Sequence, residues 1–329
     1  MARAGGQVDI MASGPCRPEA VRRVPIEEVM RIFVRKAGFL LNRIDQIANA
    51  LYGSLAEGRE TLAQAEMLLA IEAGTARDQV GLARTCGIDT STTAIILDNL
   101  EMTGLVERVQ DQRDRRRSLP VLTAQGRQRM PAVRAAFAAL QEVMLAGLDG
   151  PGRALLVEQL GRIARDGDAV APRWDVATSP FADAPSLLCR RALQICNAHF
   201  QACVSPLHVT LRQFSALIIL HLHPGLSQVE YARVYGLDPS TCAIVLKKLA
   251  SRGLLRAARS VEDRRKTLYE TTQAGRDYAA AIQPAADESE ERMLASFAPA
   301  DRAALRASLQ AIVREHSAGL RYPGCLPWE

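Results

Sequence analysis

Four arginines and two aspartates fall within the seven residues 111–117, DQRDRRR, directly ahead of an apolar run that ends in Leu122-Thr123. Guanidinium groups at that density neutralise phosphate or grip carboxylate through paired N–H donors. A thinner copy, SVEDRRKTLYETTQAGR, returns at 260–276, with Glu262 where the first copy has Arg113. Upstream of each copy stand small side chains just after an aspartate: Ser91, Thr92 and Thr93 follow Asp89, and Ser240, Thr241 and Cys242 follow Asp238. Aspartate at such a place caps a helix, and short hydroxyls in a first helical turn can approach base edges in a DNA major groove. Catalytic chemistry lacks its residues. There is no Gly-rich phosphate loop and no nucleophile elbow, and the histidines keep no motif spacing. The expectation is a protein without catalytic residues, cofactor or metal.

Both arginine-rich stretches belong to one internal repeat. Residues 82–127 laid over 231–276, a constant shift of 149, give 19 identities in 46 positions, where composition alone would give about three. The identities include Arg84/Arg233, Gly87/Gly236, Asp89/Asp238, Ser91/Ser240, Thr92/Thr241 and the run Asp114-Arg115-Arg116 over Asp263-Arg264-Arg265. Upstream, residues 40–52 match 188–200 at a shift of 148. The chain therefore divides into a disordered tail at 1–24, a first unit at 25–166, a proline-bearing linker at 167–183, a second unit at 184–320 and a C-terminal tail at 321–329.

The elements that must carry these residues follow from periodicity and punctuation. Each unit opens with a long helix, in the first from Pro25 to about Leu55. A second helix closes at Gly74 and a short third at Gly87. A tight turn leads to a helix capped by Asp89, on which Ala94, Ile95, Leu97 and Leu100 are expected to face the core. Two short strands, LVERVQ and SLPVLT, flank the charged tip as a hairpin. Thr123 then caps a long helix with an expected kink at Pro131, and a last helix ends the unit. The fold class is mainly α with small β wings: two winged helix-turn-helix units. A charged hairpin tip can be a plain solvated loop, but beside a helix-turn-helix, and duplicated, it reads as a phosphate contact. Lys247 and Lys248 replace Asp98 and Asn99 in the second copy, adding positive charge to its recognition helix.

Two helices, a helix-turn-helix, an Asp-x-Arg-Asp wing (DQRDRR) and then Leu-Thr-x-x-Gly (LTAQGR) opening a long helix: this order resembles the MarR family of winged-helix transcription regulators, over about residues 25–320. The resemblance implies double-stranded operator DNA as partner and Arg113 as the wing contact, with Asp111, Asp114 and Arg115 bracing the hairpin. Together with the reading above, the expected DNA-binding residues are Arg84, Ser91, Thr92, Thr93, Arg113, Arg115, Arg116, Arg233, Ser240, Thr241, Lys247, Lys248, Arg264 and Arg265. In the second unit Ser260, Glu262 and Thr271 depart from the family pattern, and a carboxylate at a wing tip repels phosphate. Family members are usually homodimers with interlocked first and last helices, whose recognition helices read half-sites roughly 34 Å apart. One chain holding both units implies an intramolecular pseudo-dimer joined through its terminal helices, with further self-association left open. The resemblance also implies a repressor released by a small aromatic or phenolic effector bound between the dimerisation helices and the DNA-binding lobe. Arg43, Tyr52, Arg191 and Phe200 are candidates for that site; the competing reading has such polar groups pairing across a helical interface.

Composition narrows the remaining classes. The 329 residues carry 41 Lys and Arg against 36 Asp and Glu, a net charge of +5, mildly in favour of an anionic partner. Seven cysteines without a CxxC pair suit reduced thiols. No leader or bilayer-spanning run is evident, so no membrane partner and a cytoplasmic location are expected. Two rival switches on the same fold come from the residues themselves. Cys189, Cys196 and Cys203, seven apart, could sense oxidants, though their counterparts Leu41, Ala48 and Leu55 mark the face as an apolar stripe. His199, Cys203, His208, His221 and His223 form no recognised metal-ligand pair. A protein-binding adaptor that uses the fold without DNA is the third alternative.

Overall fold

The computed structural model describes residues 23–111, 118–167 and 170–328. Residues 1–22, most of the tail expected to be disordered, lie outside the described residues, and so does the first wing tip with Arg113, Arg115 and Arg116. The first half runs α1 (Ile26–Phe33), α2 (Ala37–Leu55), α3 (Leu62–Ala73), α4 (Gln79–Cys86), α5 (Thr90–Met102), β1 (Val106–Gln110), β2 (Ser118–Leu122), α6 (Ala124–Met144) and α7 (Gly150–Asp166). The second repeats the order: α8 (Pro185–Val204), α9 (Leu211–Leu222), β3 (Leu226–Ser227), α10 (Gln228–Tyr235), α11 (Pro239–Ser251), β4 (Leu255–Arg259), β5 (Thr267–Thr271), α12 (Gln273–Met293) and α13 (Pro299–His316).

The expected single opening helix is two. Lys36 is extended, at φ −96° and ψ 120°, and its ammonium reaches Asp287 at 2.8 Å and Glu290 at 3.6 Å on α12. Glu290 also accepts from Ala37 N at 2.9 Å, so a carboxylate from the far end of the chain caps α2. Unpaired N–H groups at a helix start favour such a negative partner. Elsewhere the sequence signals set the boundaries. Thr61 and Thr210 each form a capping box with the glutamine three residues on. α6 runs unbroken through Pro131.

Each wing is antiparallel. β1 pairs with β2 so that Val106 faces Leu122, and in the second half the order is β3-β5-β4, with Leu255 opposite Thr271. Two apolar cores result, and each draws on both halves. Leu40, Ile44, Leu68 and Leu97 of the first half share one with Leu188 and Ala192 of α8 and Leu309 and Ile312 of α13. Val29, Met30 and Phe33 of α1, with Phe39, complete the other beside Phe200, Phe214, Leu217 and Leu246. Helix α8 lies against α2, α7 and α12, and α13 lies against α2. Removing this much apolar surface from water across the junction is the main force joining the halves.

The segment read as a linker and the segment read as a tail do the same work. Residues 170–184 cross α4: Asp175 N donates to Arg84 O at 3.0 Å, Trp174 Nε1 to Thr85 O at 3.3 Å and Thr75 Oγ1 to Thr178 O at 2.6 Å. The C-terminal segment crosses α10, where Cys325 N donates to Val234 O at 3.0 Å. No helix among the described residues is long and apolar enough to cross a membrane.

Candidate nucleic-acid interface

The two recognition helices are α5 and α11, each held at its start by an aspartate. Asp89 accepts from Thr92 N at 2.8 Å and from Thr92 Oγ1 at 2.6 Å. Asp238 accepts from Thr241 N at 2.8 Å and from Ser240 Oγ. These bonds, side-chain bonds first, hold both carboxyls below the usual carboxylate range. The hydroxyl protons of Thr92 and Ser240 are committed to the caps, so toward a base edge those oxygens present lone pairs and act as acceptors.

Ser91, Thr92, Ser240, Arg84 and Arg233 are exposed and Thr241 is half-buried. Lys247 and Lys248 are exposed along α11. Thr93 is a correction: it is fully buried and its hydroxyl donates to Asp89 O at 2.9 Å, because the fourth residue of the helix turns back toward the core. Ile95 is a second correction. Expected in the core, it is 62% exposed, and its counterpart Ile244 is 69% exposed, while Ile96 takes the buried position. A branched apolar side chain presented outward at the same place on both helices suits contact with a thymine methyl group. Its signal in the sequence was the retained isoleucine pair, masked by a helical period that a single-residue rotation satisfies equally well.

The halves differ in charge beside these helices. In the first, Arg108 on β1 turns back to Asp98, at 2.5 Å, and to Glu101, neutralising the carboxylates on α5. In the second, Ala257, Lys247 and Ala250 occupy those places, which leaves lysine charge free for phosphate. The second wing tip is a tight turn: Asp263 N donates to Ser260 Oγ at 3.2 Å and Arg265 N to Asp263 Oδ1 at 3.0 Å, with Arg264 and Arg265 exposed at its end.

The side chains expected to hold a ligand are placed otherwise. Arg43, Tyr52, Arg191 and Phe200 are each fully buried. Arg43 donates to Gly236 O at 2.6 Å and Pro323 O at 2.7 Å. Arg191 donates to Pro172 O at 2.8 Å and lies over the Trp174 ring. Each thus ties the opening helix of one half to the helix-turn-helix and crossing segment of the other half, the interface pairing that was the competing reading. Burial lowers the Arg43 guanidinium to about 10, consistent with carbonyl partners alone. Phe200 belongs to the second core.

A cavity of about 470 Å³ lies elsewhere, between α2, α8, α9 and α12 of the second lobe, walled by Phe39, Leu193, Phe214, Ile218 and Tyr235 with Asn42 and Arg212. The thiol face is an apolar stripe: Cys189 and Cys196 are buried, and burial pushes both up to about 12, which keeps them as unreactive thiols at neutral pH. Among the described residues no three His, Cys, Asp or Glu side chains gather to hold a metal ion.

Both halves of the chain are similar to known proteins. Residues 61–117 and 209–267 each match a family model described as MarR family. The HTH-type transcriptional repressor NicR of Pseudomonas putida is 30% identical over 118 residues, covering 36% of this chain and 75% of that protein. The HTH-type transcriptional repressor Mb2911 of Mycobacterium bovis is 33% identical over 122 residues, 36% of this chain and 88% of that one. Among solved structures, Bordetella bronchiseptica BpsR, described for regulation of its DNA binding by 6-hydroxynicotinic acid, is 30% identical over 37% of this chain and 88% of its own, with a TM-score of 0.36.

Proposed function

From the premise that this chain belongs to the MarR family, whose transcription regulators are not enzymes, we propose that it is a repressor that reads two DNA half-sites with one molecule and releases them on binding a small aromatic or phenolic effector. The observation that supports this reading is the helical seam between the halves, α2 and α7 on α8 with α13 on α2, each half carrying one aspartate-capped recognition helix. A seam of buried side chains fixes the spacing of the two helices, and spacing is what selects half-sites about one turn of duplex apart. Arg84, Arg233, Lys247, Lys248, Arg264 and Arg265 supply phosphate contacts; Ser91, Thr92, Ser240 and Thr241 face the bases. The first wing adds Arg113, Arg115 and Arg116. An effector acts by binding one spacing more tightly than another.

Footprinting on the DNA flanking its own gene, with and without benzoate or 2-naphthoate, tests the reading. The expected result is one protected site of two half-sites per chain, binding that falls steeply with salt, and release by an acid. A complex of two chains on one site, each using a single unit, would overturn the one-molecule arrangement.

A further inference from the structure

Pseudo-symmetry makes the second lobe's cavity informative, because at the equivalent place in the first lobe an ion pair occupies the inner part and only a smaller cleft is left. The shift of 148 along the opening helices puts Asn42 and Arg190 at matching positions, and the shift of 149 along α3 and α9 matches Glu66 with Ser215 and Ala63 with Arg212. In the first lobe Arg190 crosses from α8 to Glu66 at 2.7 Å and donates to Cys86 O at 3.0 Å. Glu66 is 2% exposed. Phe137, against Phe181 of the crossing segment at 5.8 Å, stands where the second lobe has Ala286, and a cleft of about 280 Å³ remains outside.

In the second lobe both members of the ion pair are replaced by shorter side chains, and the space they vacate belongs to the cavity. Its cation now comes from α9: Arg212 donates to Asn42 Oδ1 at 3.2 Å and makes no ion pair among the described residues. Asn42 Nδ2 is buried without a partner. The wall also bears carboxylates. Asp287 and Glu290 are met by Lys36, and burial raises Asp45 toward its neutral form against the pull of Arg190 and Arg212. An apolar chamber with one guanidinium and one amide donor fits a flat ring bearing a carboxylate, and its volume lies in the range of small-molecule sites.

We propose that the chain takes one aromatic carboxylate per molecule, against Arg212 and Asn42 in the second lobe, and that the Arg190–Glu66 pair permanently fills the corresponding place in the first. The inference rests on the regulator reading above. One lobe is thereby locked and the other answers to ligand, which a symmetric dimer of single units cannot arrange.

Calorimetric titration of the full chain with benzoate and with 2-naphthoate tests it, alongside operator binding on the same samples. The expected stoichiometry is one. Arg212→Ala should weaken 2-naphthoate at least tenfold and leave the neutral 2-naphthamide little changed. Asn42→Arg with Ser215→Glu, transplanting the ion pair, should abolish acid binding, and Glu66→Ser with Arg190→Asn should raise the stoichiometry to two. Should that last variant fail to fold, the transplant decides. Two sites in the unaltered chain, acid binding that survives the transplant, or no binding of either acid at millimolar concentration would each overturn the proposal. Failure of the unaltered chain to bind its operator would instead overturn the regulator reading.

Discussion

At the scale of single residues, the aspartate caps decide how the first turns of α5 and α11 are presented. Because its hydroxyl and amide partners depress the folded-state Asp238 carboxyl, the stability it contributes is complete above the ordinary carboxylate range, near pH 4, and is lost as pH falls toward the lower folded value. Thermal melts should show the native chain more stable than Asp238→Asn at pH 6, with the gap closing below about pH 4. Ile95 and Ile244 make a different case. Being exposed, neither supports the core, so Ile95→Ala and Ile244→Ala should each change stability by about 0.5 kcal/mol or less. If they meet thymine methyls, each should weaken operator binding several-fold in a titration. Unchanged binding by both would remove them from the base-reading set. Asp89 and Asp238 were legible as caps, whereas the outward turn of Ile95 was not, since a repeat conserves a residue's identity without saying which way it faces.

At the scale of elements, Arg43 and Arg191 show how the opening helices act. Each lies against a left-handed glycine that ends the first helix of a helix-turn-helix in the opposite half. Gly236 has φ 77° and Gly87 has φ 61°. A Cβ at Gly236 would run into the Arg43 guanidinium, and one at Gly87 would come within 3.0 Å of Arg191 Cδ. Removing Arg43, itself fully buried, leaves a cavity and the Gly236 carbonyl buried and unmatched. Arg43→Ala should therefore cost roughly 3 kcal/mol, read as a fall in Tm of about 6–12 °C. A loss under about 1 kcal/mol would mean that water or a neighbour replaces the guanidinium. Helix boundaries were largely legible because caps and glycines announce them. The break at Lys36 was not, since its cause is a pair of carboxylates some 250 positions away on α12.

At the scale of the molecule, duplication within one chain lets two reading heads diverge. The first copy carries Arg113 in the sequence between β1 and β2 and spends Arg108 on its own carboxylates, while the second carries Glu262 at the matching position and lysines on its recognition helix. Arg113→Ala should weaken operator binding and reduce its salt dependence by about one counterion, whereas Glu262→Ala should leave it unchanged or tighter. Equal losses in a salt-series titration would remove the asymmetry. The sequence by itself determined the repeat and the helix-turn-helix and wing in each copy, because these depend on spacing over a few turns of chain. Only the tertiary structure decided that α1 completes the second core, that the crossing segments are tied down by buried arginines, and that an ion pair occupies one lobe where the other has a cavity. Those outcomes turn on which side chains meet across the seam, and such meetings are set by packing between distant segments.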